Sequence, residues 1–155
     1  MVWQTGTPYL KQAQQAVADL NYTDCKVHEF VNKMDYAYAV ADLVVARAGA
    51  ISVSELCLVQ KPAILVPLPT AAEDHQTHNA RALTDRGAAV LVRDDRAVAE
   101  LGSTVLRLIK DRDALDRLRT AIAGLGANNA AEVIAAEVIR LGYKTMDKER
   151  NPVDA

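Results

Sequence analysis

The sequence predicts an α/β protein in which a parallel sheet is covered by helices on both faces. Two apolar runs, residues 43–46 and 62–67, are continuous rather than alternating, which is typical of strands buried on both faces. Apolar residues outside these runs recur at helical spacing. With 155 residues, of which 50% are hydrophobic, the chain can bury a core, and we expect one domain.

The other elements follow from the same periodicities and from turn residues. Further strands are expected at residues 26–31 and 88–92. Gly87 is expected to end a helix in the left-handed conformation. Helices are expected at residues 9–20, 35–41, 76–86, 98–109, 115–125 and 130–141, and from about residue 52. Residues 144–155 are polar and are expected to be frayed.

A polar segment follows the first buried run and opens a helix. Gly49 permits a close approach to the backbone, and the first turn of the following helix presents unpaired N–H groups that suit a diphosphate. Ser52 and Glu55 also form an S-x-x-E pattern, which is typical of a capping box. On this segment alone, both interpretations stay open. The segment carries neither a dinucleotide-binding glycine fingerprint nor a P-loop.

A second polar segment, residues 70–79, follows the second buried run. In an open parallel sheet, ligands bind outside the carboxyl ends of the strands, so we expect both polar segments on one rim. Asp74 and Asn79 are interpreted as turn or helix-cap residues.

Composition argues against several classes of function. The net charge of -2 gives no reason to expect a nucleic-acid partner. Cys25 and Cys57 lie far apart, without a cysteine–histidine cluster, so we expect neither a disulfide framework nor a zinc site, and a reducing cytosol fits. We also expect no other metal and no cofactor. The sequence contains no apolar run long enough to span a membrane.

Together, the two polar segments resemble the MurG glycosyltransferase family. That family carries R-[SA]-G-A-x-[ST]-x-S-E after one strand and H-Q-x-x-N-A after a later, proline-flanked strand, and residues 47–55 and 75–80 match these patterns. The resemblance continues through residues 3–6 and 30–34. It covers residues 1–141, which we expect to form a partial donor-binding domain. Residues 142–155 are then a polar C-terminal tail.

The resemblance implies a fold and an activity. Members of this family are inverting glycosyltransferases of the GT-B type, in which two Rossmann-like domains face each other across a cleft. They transfer N-acetylglucosamine (GlcNAc) from UDP-GlcNAc to the lipid-linked muramyl-pentapeptide precursor of peptidoglycan, at the cytoplasmic side of the bacterial inner membrane. The chain resembles the C-terminal, donor-binding half. The resemblance therefore implies that it carries no catalytic residue and is inactive alone, while the acceptor binds the N-terminal domain.

The resemblance also implies contacts with the nucleotide. Val31 would lie against the uracil. Ala50, Ile51 and Ser52 would place backbone N–H groups and a hydroxyl at the diphosphate. Glu55 would accept hydrogen bonds from the ribose hydroxyls, because a carboxylate accepts from two neighbouring hydroxyls.

For the sugar, the resemblance implies Gln76, with His75 beside it. A carboxamide both donates and accepts, which suits the hydroxyls of a GlcNAc ring. Some relatives have Gln at the position of His75, and a solvated loop histidine is the alternative interpretation.

The family pattern also includes a G-G-S-x-G-A loop and a first strand and helix that this sequence does not match. In the doubly wound order that strand lies in mid-sheet, so we expect a gap between the strands ending near Trp3 and Ala46. Exposed strand edges there would be a template for a second copy, giving a homo-oligomer. Two alternative functions stay open: a non-catalytic nucleotide-binding or assembly module, and the small subunit of a two-chain GlcNAc transferase.

Overall fold

The computed structural model describes residues 1–70, 74–126 and 130–150. Short strands alternate with helices along the chain. The strands are β1 (Val2–Gln4), β2 (Lys26–His28), β3 (Val44–Ala46), β4 (Ala63–Leu65) and β5 (Val90–Leu91). The helices are α1 (Leu10–Asp19), α2 (Met34–Val40), α3 (Ala50–Val59), α4 (His75–Thr84), α5 (Ala97–Lys110), α6 (Arg112–Ala123) and α7 (Ala130–Arg150).

The strands form two separate parallel sheets. β1 pairs with β2, and β4 lies between β3 and β5 in the other sheet. The predicted α/β class with parallel pairing is confirmed. Within the part of the chain that the structure describes, no pairing joins β1 to β3, so the sheet is interrupted where the sequence predicts a gap.

Both strands beside the interruption have open edges. Val44 and Ala46 of β3 both bond to the β4 side: Val44 N–H donates to the Pro62 carbonyl, and Val66 N–H donates to the Ala46 carbonyl, each at 2.9 Å. Because main-chain groups alternate in direction along a strand, those of Val45 point away from β4. Val45 is 44% exposed and Trp3 of β1 is 41% exposed. A cavity of about 620 Å³ lies here, lined by residues of β1 and α1 and by Arg47.

The core lies around β4, whose three residues are all buried. Side chains alternate between the two faces of a strand, and the core divides accordingly. Leu65 packs in one cluster with Leu56 of α3 and Ile122 of α6. Ile64 packs in the other cluster with residues of α5 and α6, including Leu108. Through the first of these clusters, α3 and α4 pack against the sheet.

Two glycines meet specific backbone requirements. Gly87 has φ 67°, and it follows α4 as the predicted left-handed cap. Its N–H donates to the Thr84 carbonyl at 2.9 Å, which satisfies one of the last carbonyls of the helix. A Cβ atom on Gly126 would lie 2.9 Å from the Cys57 carbonyl oxygen, so only glycine permits this approach of the chain to α3.

Several predicted boundaries differ from the structure. β2 ends at His28, so Val31 lies in the following loop. α7 continues to Arg150, and residues 144–150, expected to be frayed, are helical because they include good helix formers such as Lys144 and Glu149. The remainder of that segment, 151–155, lies outside the described residues. None of the described helices is long and apolar enough to cross a membrane.

Candidate functional site

The candidate site is built around the first turn of α3. Gly49 is extended, with φ -64° and ψ 149°, and α3 begins at the next residue, Ala50. The first helical bond runs from Val53 N–H to the Gly49 carbonyl, at 3.0 Å. The N–H groups of Ala50, Ile51 and Ser52 therefore have no acceptor within the helix. The first turn carries no acidic residue, so its positive dipole end is not neutralised there.

The structure contradicts the capping-box interpretation of Ser52 and Glu55. Gly49 occupies the N-cap position and no side chain caps the helix. Ser52 is the third residue of the helix and Glu55 the sixth, so neither can exchange the reciprocal bonds of a capping box. Both residues are half-buried.

Glu55 instead has a partner from α2. The Tyr38 hydroxyl donates a hydrogen bond to Glu55 Oε2 at 3.0 Å. Burial, and then the hydrogen bond and the charge of Glu55, raise the pKa of Tyr38 to about 12. The phenol is therefore a protonated donor throughout the neutral pH range. No local pattern predicts this pair, since the two residues lie 17 positions apart.

Val31 lies in the loop after β2, where a residue of β1 contacts it. Its N–H donates to Gln4 Oε1 at 2.8 Å, and this bond is exposed. Val31 itself is half-buried. The loop predicted to contact the uracil is thus tied to the end of β1.

The start of α4 lies on the same rim as the start of α3. Gln76, the second residue of α4, accepts a hydrogen bond at Oε1 from Leu68 N–H, at 3.0 Å. Asn79 Nδ2 donates to the Ala48 carbonyl at 3.0 Å and joins α4 to the loop before α3. This bond confirms that the two polar segments converge. Asn79 is the fifth residue of α4 and makes this tertiary bond, so its interpretation as a turn or cap residue is wrong.

The residues before and at the start of α4 are more exposed. His75 is the first residue of the helix and is exposed. Asp74 is at the N-cap position with φ 55°, but its side chain makes no capping bond. Residues 71–73, the start of this polar segment, lie outside the described residues.

Arg47 ties three strand ends together at this rim. Its Nη1 donates to the Val66 carbonyl at 3.2 Å and pairs with the carboxylate of Asp94, which follows β5. Arg47 is part of the matched sequence pattern, yet no role was predicted for it. In the described part of the chain, no three His, Cys, Asp or Glu side chains are grouped so that they could hold a metal ion.

Comparisons with known proteins agree with this geometry. The family model for the glycosyltransferase family 28 C-terminal domain matches residues 1–136. A UDP-N-acetylglucosamine–N-acetylmuramyl-(pentapeptide) pyrophosphoryl-undecaprenol N-acetylglucosamine transferase from Porphyromonas gingivalis is 49% identical over 141 residues, which are 91% of this chain and 37% of that protein. The protein of the same name from Phocaeicola vulgatus is 44% identical over 144 residues, or 92% of this chain and 38% of its own length.

A solved structure gives the same result at the level of the fold. The crystal structure of Acinetobacter baumannii MurG is similar with a TM-score of 0.81 and 29% identity, covering 90% of this chain and 40% of that one. This similarity confirms the Rossmann-like, GT-B-type fold. The chain thus spans less than half the length of these relatives. The resemblance to the MurG family is confirmed, and the chain belongs to glycosyltransferase family 28, in which it corresponds to the C-terminal domain.

Proposed function

We propose that this chain binds UDP-GlcNAc as the donor domain of an inverting GlcNAc transferase that acts on the lipid-linked muramyl-pentapeptide of peptidoglycan. The observation that carries the proposal is the bond from Asn79 to the Ala48 carbonyl, which brings the start of α4 beside the start of α3. These two helices carry three chemically different groups: the first-turn N–H groups of α3, the Glu55 carboxylate and the Gln76 carboxamide. They match, in order, a diphosphate, a ribose and a sugar.

The diphosphate would bind at the first turn of α3. Ala50 and Ile51 supply backbone N–H groups and Ser52 adds a hydroxyl, as is favourable for an anion at a helix N-terminus. The same groups would stabilise the charge that develops on UDP as it leaves during transfer. This is the part of the chemistry that we assign to this chain, and we assign the base that deprotonates the acceptor to the rest of the longer protein.

The nucleoside would extend from α3 toward the loop after β2. Glu55 accepts one bond from Tyr38 at Oε2, and its other oxygen, Oε1, would accept from the ribose. Val31 would lie against the uracil. Because Val31 N–H donates to Gln4 in this structure, a uracil oxygen that binds this N–H must share it or displace Gln4.

The GlcNAc ring would lie at the start of α4. Gln76 already accepts from Leu68 N–H at Oε1, so its Nε2 group would donate to a sugar hydroxyl. His75, exposed beside it, would contact the same ring. We place the lipid-linked acceptor on the part of the longer protein outside this chain, and we place that protein peripherally at the cytoplasmic side of the bacterial inner membrane. The boundary between the domain, 1–141, and the tail, 142–155, stays a prediction.

Calorimetric titration of the chain with UDP-GlcNAc, UDP-glucose and GDP tests the proposal. We expect saturable binding of both UDP sugars and none of GDP. Glu55→Ala should weaken UDP-sugar binding by about 1–3 kcal/mol through loss of the ribose hydrogen bonds. Ser54→Ala is the matched control, because Ser54 is the exposed neighbour of Glu55 on the same helix. No binding up to about 1 mM, an affinity weaker than about 4 kcal/mol, would contradict a donor site in this chain.

The open strand edges favour an assembly role as a second candidate. β1 and β3 both direct main-chain groups into the interruption, and an exposed edge is a template for another chain. A second copy could pair there, giving a homo-oligomer. Light scattering coupled to size-exclusion chromatography over a wide range of protein concentrations would detect it. A constant monomer mass would exclude this candidate, and it would leave the proposal for donor binding unchanged.

A further inference from the structure

We infer that Tyr38 is a positioning residue that orients the Glu55 carboxylate toward the ribose and so determines the preference for a ribonucleotide. This inference deepens the proposed function, on which it rests. It concerns a residue outside the set that the sequence predicts. Tyr38 lies on α2 and contributes through Glu55.

The first step is the geometry of the pair. The Tyr38 hydroxyl donates to Glu55 Oε2 at 3.0 Å, and the bond is partly buried. Oε1 is the other acceptor of the same carboxylate. A donor fixed on one oxygen therefore determines which oxygen can face a ligand.

The second step is the anchoring of the phenol. The Tyr38 ring packs against the core cluster that contains Leu56 and Ala48, which belong to α3 and to the loop before it. A glutamate on a helix surface otherwise samples several rotamers, and ordering it on binding costs free energy. Because the ring is held by the core, its hydroxyl orders Glu55 before the nucleotide arrives.

The third step is the charge state of the pair. Burial, the bond to Glu55 and the charge of Glu55 raise the pKa of Tyr38 to about 12, so the folded protein favours the protonated hydroxyl that donates to this carboxylate. A hydrogen bond to a charged group is stronger than one between neutral groups. The phenol thereby holds Glu55 in place without neutralising the carboxylate that the ribose needs.

The test is a double-mutant cycle on the full 155-residue chain. Dissociation constants for UDP and for 2′,3′-dideoxy-UDP are measured for the wild type, Tyr38→Phe, Glu55→Gln and the double variant. Tyr36→Phe is the matched control, because Tyr36 is on the same helix but is 62% exposed. Phe keeps the ring and its packing, so the variants differ from the wild type in single polar groups.

We expect Tyr38→Phe to weaken UDP binding by about fivefold, the size expected for one hydrogen bond. It should leave the affinity for the dideoxy analogue unchanged, and it should add nothing in the Glu55→Gln background. Tyr36→Phe should change neither affinity. An equal loss for both nucleotides, or full additivity with Glu55→Gln, would show a merely structural bond and overturn the inference.

The proposed function fails in a distinguishable way. If the wild type does not bind UDP, or if Glu55→Gln binds it as well as the wild type, the donor site itself is wrong and the inference fails with it. If Glu55→Gln weakens binding but Tyr38→Phe does not, the donor site stands and only the role of Tyr38 is overturned.

Discussion

The β3–β4–β5 half of the molecule and the β1–β2 half are built from similar βα units but differ in packing. All three residues of β4 are buried, with a core cluster on each face. By contrast, all three residues of β1 are exposed and β2 has one half-buried residue. A strand in a parallel sheet is stable when it has neighbours on both sides and helices on both faces. From this difference in burial, we expect the β3–β4–β5 half to contribute most of the stability of this chain.

The candidate site uses both halves unequally. The groups proposed to bind the diphosphate, the ribose and the sugar are on α3 and α4, which pack on the β3–β4–β5 sheet. Val31, proposed for the uracil, belongs to the β1–β2 half and is tied to it through Gln4. We therefore expect the phosphate part of the site to be the more rigid one.

Truncation of a core side chain should show the difference in stability between the two halves most clearly. Ile64 of β4 is fully buried, so Ile64→Ala removes packing and leaves a cavity. We expect a loss of about 2–5 kcal/mol in the free energy of unfolding. Val2→Ala in β1, where the side chain is 51% exposed, should cost less than about 1 kcal/mol. Urea unfolding monitored by circular dichroism measures both, and equal losses would contradict the contrast.

The next largest loss of stability is expected at a close backbone contact in the β3–β4–β5 half. Gly126→Ala would place a Cβ atom 2.9 Å from the Cys57 carbonyl oxygen. Because the neighbour is backbone, the chain must shift, and we expect a loss of about 1–3 kcal/mol in the free energy of unfolding. The control is Gly102→Ala, where no atom lies within 4 Å of the added Cβ. Alanine there should stabilise α5 by about 0.5–1 kcal/mol. Urea unfolding of both variants measures the two changes, and equal changes would contradict a role for the close contact at Gly126.

Two of the side chain-to-backbone bonds at the site should also differ in strength between the halves. Asn79→Ala removes the partly buried bond to the Ala48 carbonyl, and we expect a loss of about 1 kcal/mol in the free energy of unfolding. Gln4→Ala removes the exposed bond to Val31 N–H and should change stability by less than about 0.5 kcal/mol. Amide hydrogen exchange should show faster exchange at Val31 than at Val53 in the wild type. Slower exchange at Val31 than at Val53 would contradict the expectation that the phosphate part of the site is the more rigid one.

Local patterns in the sequence were sufficient to predict several strands and one helix cap. Continuous apolar runs predicted β3 and β4, and the position of Gly87 predicted the cap of α4. The interruption of the sheet was predicted by the resemblance to the MurG family, whose first strand this sequence does not match, together with the doubly wound strand order. These features depend on residues that are close in sequence or on a general rule of strand order.

Contacts between distant elements could not be predicted in the same way. Tyr38 meets Glu55 across 17 positions, and Asn79 meets Ala48 across 31, without any periodicity that links the partners. The capping-box alternative was wrong for a related reason. It required Ser52 at the N-cap, whereas Gly49 occupies the N-cap three residues earlier, and Glu55 instead accepts a bond from Tyr38 of α2.

The smallest effect at neutral pH concerns α2, which connects the two sheets and carries Tyr38. The pKa of Tyr38 is raised from 10.0 to about 12 in the folded state, so the folded protein holds this proton more tightly than the unfolded chain. The stabilisation is therefore complete below about pH 10 and is lost as the pH rises toward 12. We expect the free energy of unfolding to fall more steeply between pH 10 and 12 in the wild type than in Tyr38→Phe. Urea unfolding across this range measures the difference, and Tyr36→Phe should follow the wild type. Parallel curves for the wild type and Tyr38→Phe would mean that neither burial nor the bond to Glu55 raises the pKa of Tyr38 on folding.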